Sequence, residues 1–333
     1  MNYPLLSSCY FNHFLRYGGE QGVDLNGDLT PYDIGSGESS TTFTELQHLI
    51  RRLLKSGCPP YMGLEVGADI KVSSHGTLGF ALSNAKNLDQ CLDFLCNYYR
   101  TRAQILDIEY QKGERDAFIV VRPDVEWGDV ELVTYETIMA LLYNILSFAI
   151  GKKVQRCVLE FPYRKPAWEV LYHKHLPGSH VFGSPHARIR IPLELVAMPC
   201  VASDPVFANV AIGQLDLQLS QILQQQPLST KIKKLVEKTG NYGLSLEEAA
   251  NALFLSKSTL IRKLNMEGQT FRALIEGLKK NQAAYLLTKT TYKLEVVSVK
   301  LGYDEVANFN RAFKRWFRCT PGRFRDNGRR GAD

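Results

Sequence analysis

The chain has 333 residues, 45% of them apolar, which is ample for packed cores and more than one small domain needs. Its net charge of +6 is unevenly spread: from Leu228 onward there are 21 Lys and Arg against 10 Asp and Glu, and before Leu228 there are 19 against 24. A basic module beside a mildly acidic one suits a polyanionic partner for the carboxy-terminal part, and no run approaches the roughly 18 consecutive apolar residues of a membrane span.

Met1-Asn2-Tyr3-Pro4 lacks the basic-then-apolar pattern of an export signal, so a soluble, cytoplasmic protein with no membrane partner is expected. Seven scattered cysteines read as buried thiols rather than a disulfide framework or a CxxC metal site. Residues 1–210 mix helical and extended patterns and predict an α+β domain. Phe43–Lys55 and Asp89–Arg100 have helical periodicity, whereas Ile105–Tyr110, Ala117–Arg122, Cys157–Phe161 and Arg188–Ile191 read as strands. Tyr135–Ile150 reads as a buried helix, its 16 residues too few to cross a bilayer.

The chemistry of this half is sparse. His75-Gly76-Thr77-Leu78-Gly79 lacks the glycine spacing of a nucleotide loop. His173, His175, His180 and His186 cluster in sequence, but Pro177-Gly178-Ser179 and Gly183-Ser184-Pro185 break them into turns, and no i,i+4 pair is present. No metal or cofactor is expected. No paired carboxylates, nucleophile elbow or Cys/His couple occurs at usable spacing, so the chain reads as a non-enzyme. Phe80, Phe94, Tyr98, Tyr99 and Trp168 either line a small-molecule pocket, with Arg100 or Arg102 for a carboxylate, or fill the core.

Val206–Gln226 forms a helical pattern ending at Pro227, and 211–227 reads as a connecting helix. Leu215, Leu219 and Leu223 at i,i+4 spacing offer a seam for a homodimer.

From residue 228 to 333 the pattern is helical throughout. Leu228–Val236 leads to Gly240 as a C-cap, and Ser245-Leu246-Glu247-Glu248 has the form of a capping box before a short helix with Ala249, Ala250 and Leu253. Ser256 can cap the next helix, with Leu260 and Leu264 inward; Lys257, Ser258, Thr259, Ile261 and Arg262 form the candidate reading face. Two short helices across a tight turn describe a helix-turn-helix. The pattern recurs about 48 residues later, Ala250, Leu253 and Leu260 corresponding to Ser298, Leu301 and Phe309, with one extra residue in the second turn. Phe271–Thr288 between the copies reads as an amphipathic linker helix that packs on both through Leu274, Leu278, Tyr285 and Leu286. Two recognition helices one DNA turn apart, roughly 34 Å, can enter successive major grooves.

The run Val297–Arg325, with its Gly302-Tyr303 turn, its Phe309-Asn310-Arg311-Ala312-Phe313-Lys314 helix and its Thr320-Pro321-Gly322-Arg323-Phe324-Arg325 close, resembles the signature of AraC/XylS-type regulators. That resemblance implies an all-α domain of two helix-turn-helix units, promoter DNA as partner, and RNA polymerase as a second partner if the protein activates. Phe309, Phe313 and Phe317 recur every four residues as core; Val306, Ala307, Asn308, Asn310, Arg311, Lys314 and Arg315 are the candidate DNA-facing residues of the second unit. Ile261 stands where the family often has a polar residue, and Val306 and Ala307 carry no hydrogen-bonding groups. The first unit, through Arg262 on guanine, is therefore expected to supply more base discrimination than the second, whose cations grip phosphate. His75–Ser83, Asp93 with Tyr98-Tyr99-Arg100, and Val181-Phe182-Gly183 resemble the arabinose-binding-like amino-terminal domain of some such regulators, which implies a small-molecule effector.

Overall fold

The computed structural model describes residues 5–25, 39–225 and 227–330. The chain divides into two compact units, the break falling between Leu223 and Gln224.

The amino-terminal unit runs β1 (Leu5–Ser7), α1 (Ser8–Glu20), β2 (Ser40–Thr42), α2 (Phe43–Lys55), α3 (Met62–Asp69), α4 (Gly76–Ser83), α5 (Leu88–Tyr98), β3 (Leu106–Lys112), β4 (Asp116–Pro123), α6 (Glu131–Ala149), β5 (Val158–Phe161), α7 (Val170–His175), β6 (Ser179–Phe182), β7 (Ala187–Pro192), α8 (Leu193–Val196) and α9 (Pro205–Gln225). The α2 boundary is set by chemistry: Thr42 and Glu45 form a reciprocal capping box, and Leu46, Leu49, Ile50 and Leu53 fall on one buried stripe. The five-stranded sheet has the order β3-β4-β7-β5-β6, antiparallel except for the β5/β6 pair. Alternation decides its faces: Ala187, Ile189 and Ile191 of β7 are buried while the residues between them are not. The unit is thus α+β.

Helix α6 is the centre of this core. Gly63 and Gly67 of α3 let the two helices approach so closely that a Cβ on either would collide with α6 backbone. The reading of Tyr135–Ile150 as too short to span a bilayer is corrected: the continuous run Gly128–Ala149 has 22 residues and is long and apolar enough by composition. It is apolar all round because protein surrounds it, with Met139, Ala140, Leu142, Tyr143, Ile145 and Leu146 at most 2% exposed.

The reading of 211–227 as a separate connector is also corrected. Ala208, Ala211 and Leu215 of α9 are buried, Ala211 and Leu215 within the amino-terminal core, so the helix is part of that unit nearly to its end. Leu215 is thereby unavailable to a dimer seam, Leu219 is half-buried, and the Leu223 side chain lies outside the described residues. The exposed apolar stripe of α9 is instead Val206, Phe207, Val210 and Leu217.

The carboxy-terminal unit comprises α10 (Leu228–Thr239), α11 (Leu246–Ala252), α12 (Lys257–Met266), α13 (Phe271–Lys289), α14 (Leu294–Lys300), α15 (Val306–Phe317) and α16 (Pro321–Arg330). Pro227 cannot cap α10, and the Glu267 carboxylate does so from afar, accepting from the Leu228 and Ser229 amides at 2.5 and 3.0 Å. Two small cores result: Ile232, Val236, Leu260, Leu264 and Ile275 in one, Leu287, Val297, Leu301, Phe309 and Phe313 in the other. Helix α13 gives Phe271, Leu274, Ile275 and Leu278 to the first core and Ala283, Leu286 and Leu287 to the second. Tyr285, expected among its packing residues, is 39% exposed.

Candidate functional site

The two helix-turn-helix units are α11–α12 and α14–α15. Four residues separate the first pair and five the second, the extra residue lying in the Gly302 turn. The Ser245/Glu248 capping box starts α11, with bonds of 3.2 and 2.7 Å. Ala250 and Ser298 are each 1% exposed, which lets the helices of each unit cross closely. Gly302 has a φ of +70° and faces Gly243, so the second turn rests on the loop that precedes α11; Tyr242 beside it packs into both cores.

On α12 the cap and the reading face separate. Ser256 Oγ accepts from the Thr259 amide at 3.2 Å and hydrogen-bonds the Thr259 hydroxyl at 2.8 Å, so both predicted residues hold the helix start. Lys257 Nζ lies 2.9 Å from Glu247 Oε2, an exposed ion pair that ties the recognition helix to α11. Ser258, Ile261 and Arg262 line one open concavity together with Asn265 and Met266. Sequence reasoning missed the last two, although their spacing from Ile261 and Arg262 continues the same helical row. Met266 is 81% exposed and extends the apolar part of this face beyond Ile261, itself 43% exposed.

On α15, Phe309 and Phe313 are fully buried and Phe317 half-buried, its ring packing at a tilt against Phe313 and Phe324 at 4.6 and 4.7 Å between centroids. Ala307, Arg311 and Lys314 form the exposed row at i,i+4,i+7. Val306 and Asn308 are half-buried, and Asn308 Oδ1 accepts from Arg311 Nη2 at 2.5 Å. Asn310, expected at a base edge, is half-buried with its Oδ1 enclosed. Arg315 donates to Glu276 of α13, which also accepts from Trp316 Nε1 at 2.7 Å; these bonds hold the Glu276 carboxyl below the usual carboxylate range. Arg315 thus ties α15 to the linker helix, a role that no local spacing signals.

The amino-terminal unit encloses a cavity of about 90 Å³, walled by Phe14, by aliphatic side chains of β1, α2, α4, α5, β3 and α6, and by Tyr10, His75, Tyr99 and Arg102. Of the five predicted effector residues only Tyr99 borders it. Phe80 is 47% exposed against Phe207, and Tyr98 donates to Asp216 at 2.7 Å. Arg100 pairs with Asp107 and Asp124 at 2.9 and 3.2 Å, which occupies the guanidinium. Trp168 donates to Glu136 Oε1 at 2.8 Å, beside the Tyr172 hydroxyl at 2.6 Å, and burial raises the Glu136 carboxyl to about 7. Arg102, the alternative cation, is the one in the cavity wall. Among the described residues no three His, Cys, Asp or Glu side chains gather as a metal site, and His180 Nε2 instead bonds the Leu176 carbonyl at 2.8 Å.

Two helix-turn-helix units braced by one helix in a basic module define a DNA-binding transcription regulator. The family model described as the arabinose-binding domain of AraC transcription regulators matches residues 26–200, and a helix-turn-helix domain model matches 249–327. The chain belongs to the AraC family of transcription regulators. An ornithine utilization regulator of Pseudomonas aeruginosa is 28% identical over 268 residues, 80% of this chain and 79% of that one. The regulator VirS of Mycobacterium tuberculosis is 25% identical over 321 residues, 93% of each chain. A urease operon transcriptional activator of Escherichia coli is 32% identical over 117 residues, 35% of this chain and 40% of that one. The crystal structure of the regulator CdpR from Pseudomonas aeruginosa shares the fold with a TM-score of 0.50 at 17% identity, covering 96% of this chain and 98% of that one.

Proposed function

We propose that this regulator reads an extended, specific site on double-stranded promoter DNA with both helix-turn-helix units, acts as a homodimer, and is switched by a small molecule held in its amino-terminal cavity. The observation that carries the reading is the exposed row Ser258, Ile261, Arg262, Asn265 and Met266 on a helix whose opposite face is locked by Leu260 and Leu264. Arg262 offers its two-pronged guanidinium to guanine O6 and N7, while Lys257 and the α12 amino end serve phosphate. In the second unit Ala307 supports contact with a thymine methyl, and Arg311 and Lys314 support phosphate contacts; Val306, Asn308, Asn310 and Arg315 brace the helix.

The apolar stripe Val206, Phe207, Val210 and Leu217 supports association of α9 with a second copy of itself. An activator role, as the name of the urease operon relative gives for that protein, brings RNA polymerase as a further partner. Selection of sites from a random DNA pool tests the reading. A bipartite motif should emerge with its better-defined half beneath α12, and a pool without any enriched motif contradicts it.

A further inference from the structure

The amino-terminal cavity has one polar corner. Thr134 and Thr137, which also line it, donate their hydroxyls to the Val130 and Val133 carbonyls of their own helix at 2.8 Å each, and Tyr99 donates to Asp107 at 2.8 Å. What remains is Tyr10, His75 and Arg102. Arg102 is 7% exposed and donates through Nη2 to Ser7 Oγ at 2.5 Å and the Ser74 carbonyl at 3.3 Å.

A guanidinium only donates, and Arg102 also bonds the Tyr10 hydroxyl, which leaves the hydroxyl proton for His75 Nδ1 at 3.1 Å. Burial, with Arg102 adding its charge, lowers His75 to about 3, so the ring is neutral and its single proton sits on Nε2. Nε2 is buried and has no hydrogen-bond partner among the described residues, and His75 is 2% exposed. An unsatisfied N–H beside a buried cation calls for an anionic acceptor.

We propose that this cavity binds a short-chain aliphatic monocarboxylate, its carboxylate on His75 Nε2 and Arg102 and its chain among Leu78, Ile105, Ile108 and Leu141. The proposal rests on effector control of this unit and names the class of effector. Among the described residues no Asp or Glu lines the cavity, so an amino acid would find no carboxylate there for its ammonium. Size sets the length: a cavity of about 150 Å³ holds a six-carbon ring, so on that scale about 90 Å³ takes roughly four non-hydrogen atoms, the size of acetate, or the five of propionate at tighter packing.

Calorimetric titration of the full chain with sodium propionate, propionamide and alanine tests the assignment. Propionate should bind at least about ten-fold more tightly than the amide or the amino acid, and His75→Phe should weaken propionate by about ten-fold or more. Ala103→Leu, which adds bulk in the cavity wall and leaves every polar group of the corner in the chain, should abolish binding as well. Absent propionate binding, equal binding of the amide, or undiminished binding in both variants would overturn the proposal. Repeating the titrations with DNA separates the two levels: propionate bound without any change in DNA affinity leaves the ligand class standing and removes effector control. A different compound that shifts DNA affinity while propionate fails to bind does the reverse.

Discussion

Replacing Gly302 by alanine probes how the two DNA-reading units are held together. The residue sits at φ +70°, and a methyl there would lie 2.5 Å from Gly243 Cα and 2.6 Å from Gly243 N. The left-handed backbone alone costs about 1–2 kcal/mol for a residue with a side chain. Backbone does not yield like a side-chain tip, so overpacking adds about 1–3 kcal/mol, for a total of about 2–5 kcal/mol. Gly277, exposed on α13 with open space where its Cβ would stand, is the control: Gly277→Ala should stabilise by about 0.5–1 kcal/mol. Urea unfolding of the full chain measures both. Gly302→Ala should also weaken binding to a bipartite site more than to its α12 half-site, because the second unit loses its seat. A Gly302→Ala chain within about 0.5 kcal/mol of the parent would refute the reasoning.

Arg262→Ala should relax preference at one base pair by about 1–3 kcal/mol, whereas Lys314→Ala should weaken all sequences equally and lower the salt slope by about one; identical behaviour in binding titrations would remove the distinction between reading and gripping. Glu276→Ala should free Arg315 from its carboxylate, raising affinity for every DNA sequence a few-fold and steepening the salt dependence, as read by the same titrations. Glu136 titrates near 7 when folded against about 4.5 unfolded, so the native state holds a proton that the unfolded chain releases and stability falls as pH rises between those values. Glu136→Gln keeps the acceptor for Tyr172 and Trp168 without the charge. Its advantage over the parent in unfolding experiments should grow from near zero at pH 4 to about 3 kcal/mol at pH 8.

The carboxy-terminal unit was legible because its determinants are local. Capping residues at Ser245 and Ser256, the four-residue recurrence of Phe309, Phe313 and Phe317, and the repeated turn lie within a few residues of what they specify. The role of Arg315 was not legible, because its partner Glu276 is set by how α13 and α15 cross, and neither was the enclosure of the Asn310 Oδ1, which depends on packing rather than on local spacing. The same holds in the amino-terminal unit. An arginine at position 100 reads as a free cation until the fold brings Asp107 and Asp124 to it, and the cavity's cation proves to be Arg102, buried against β1. Helix α9 misled for a different reason. It is apolar on two faces, and leucine spacing alone cannot say whether Leu215 points to its own core or to another copy.

The central claim is sequence-specific recognition by paired helix-turn-helix units, and a competition titration tests it most directly. A labelled site selected by the protein is held at roughly 150 mM salt and challenged with unlabelled DNA of random sequence. Recognition through α12 and α15 predicts that the selected site outbinds the competitor by about 10³-fold or more. Equal affinity for both, with the whole interaction lost to salt, would contradict it.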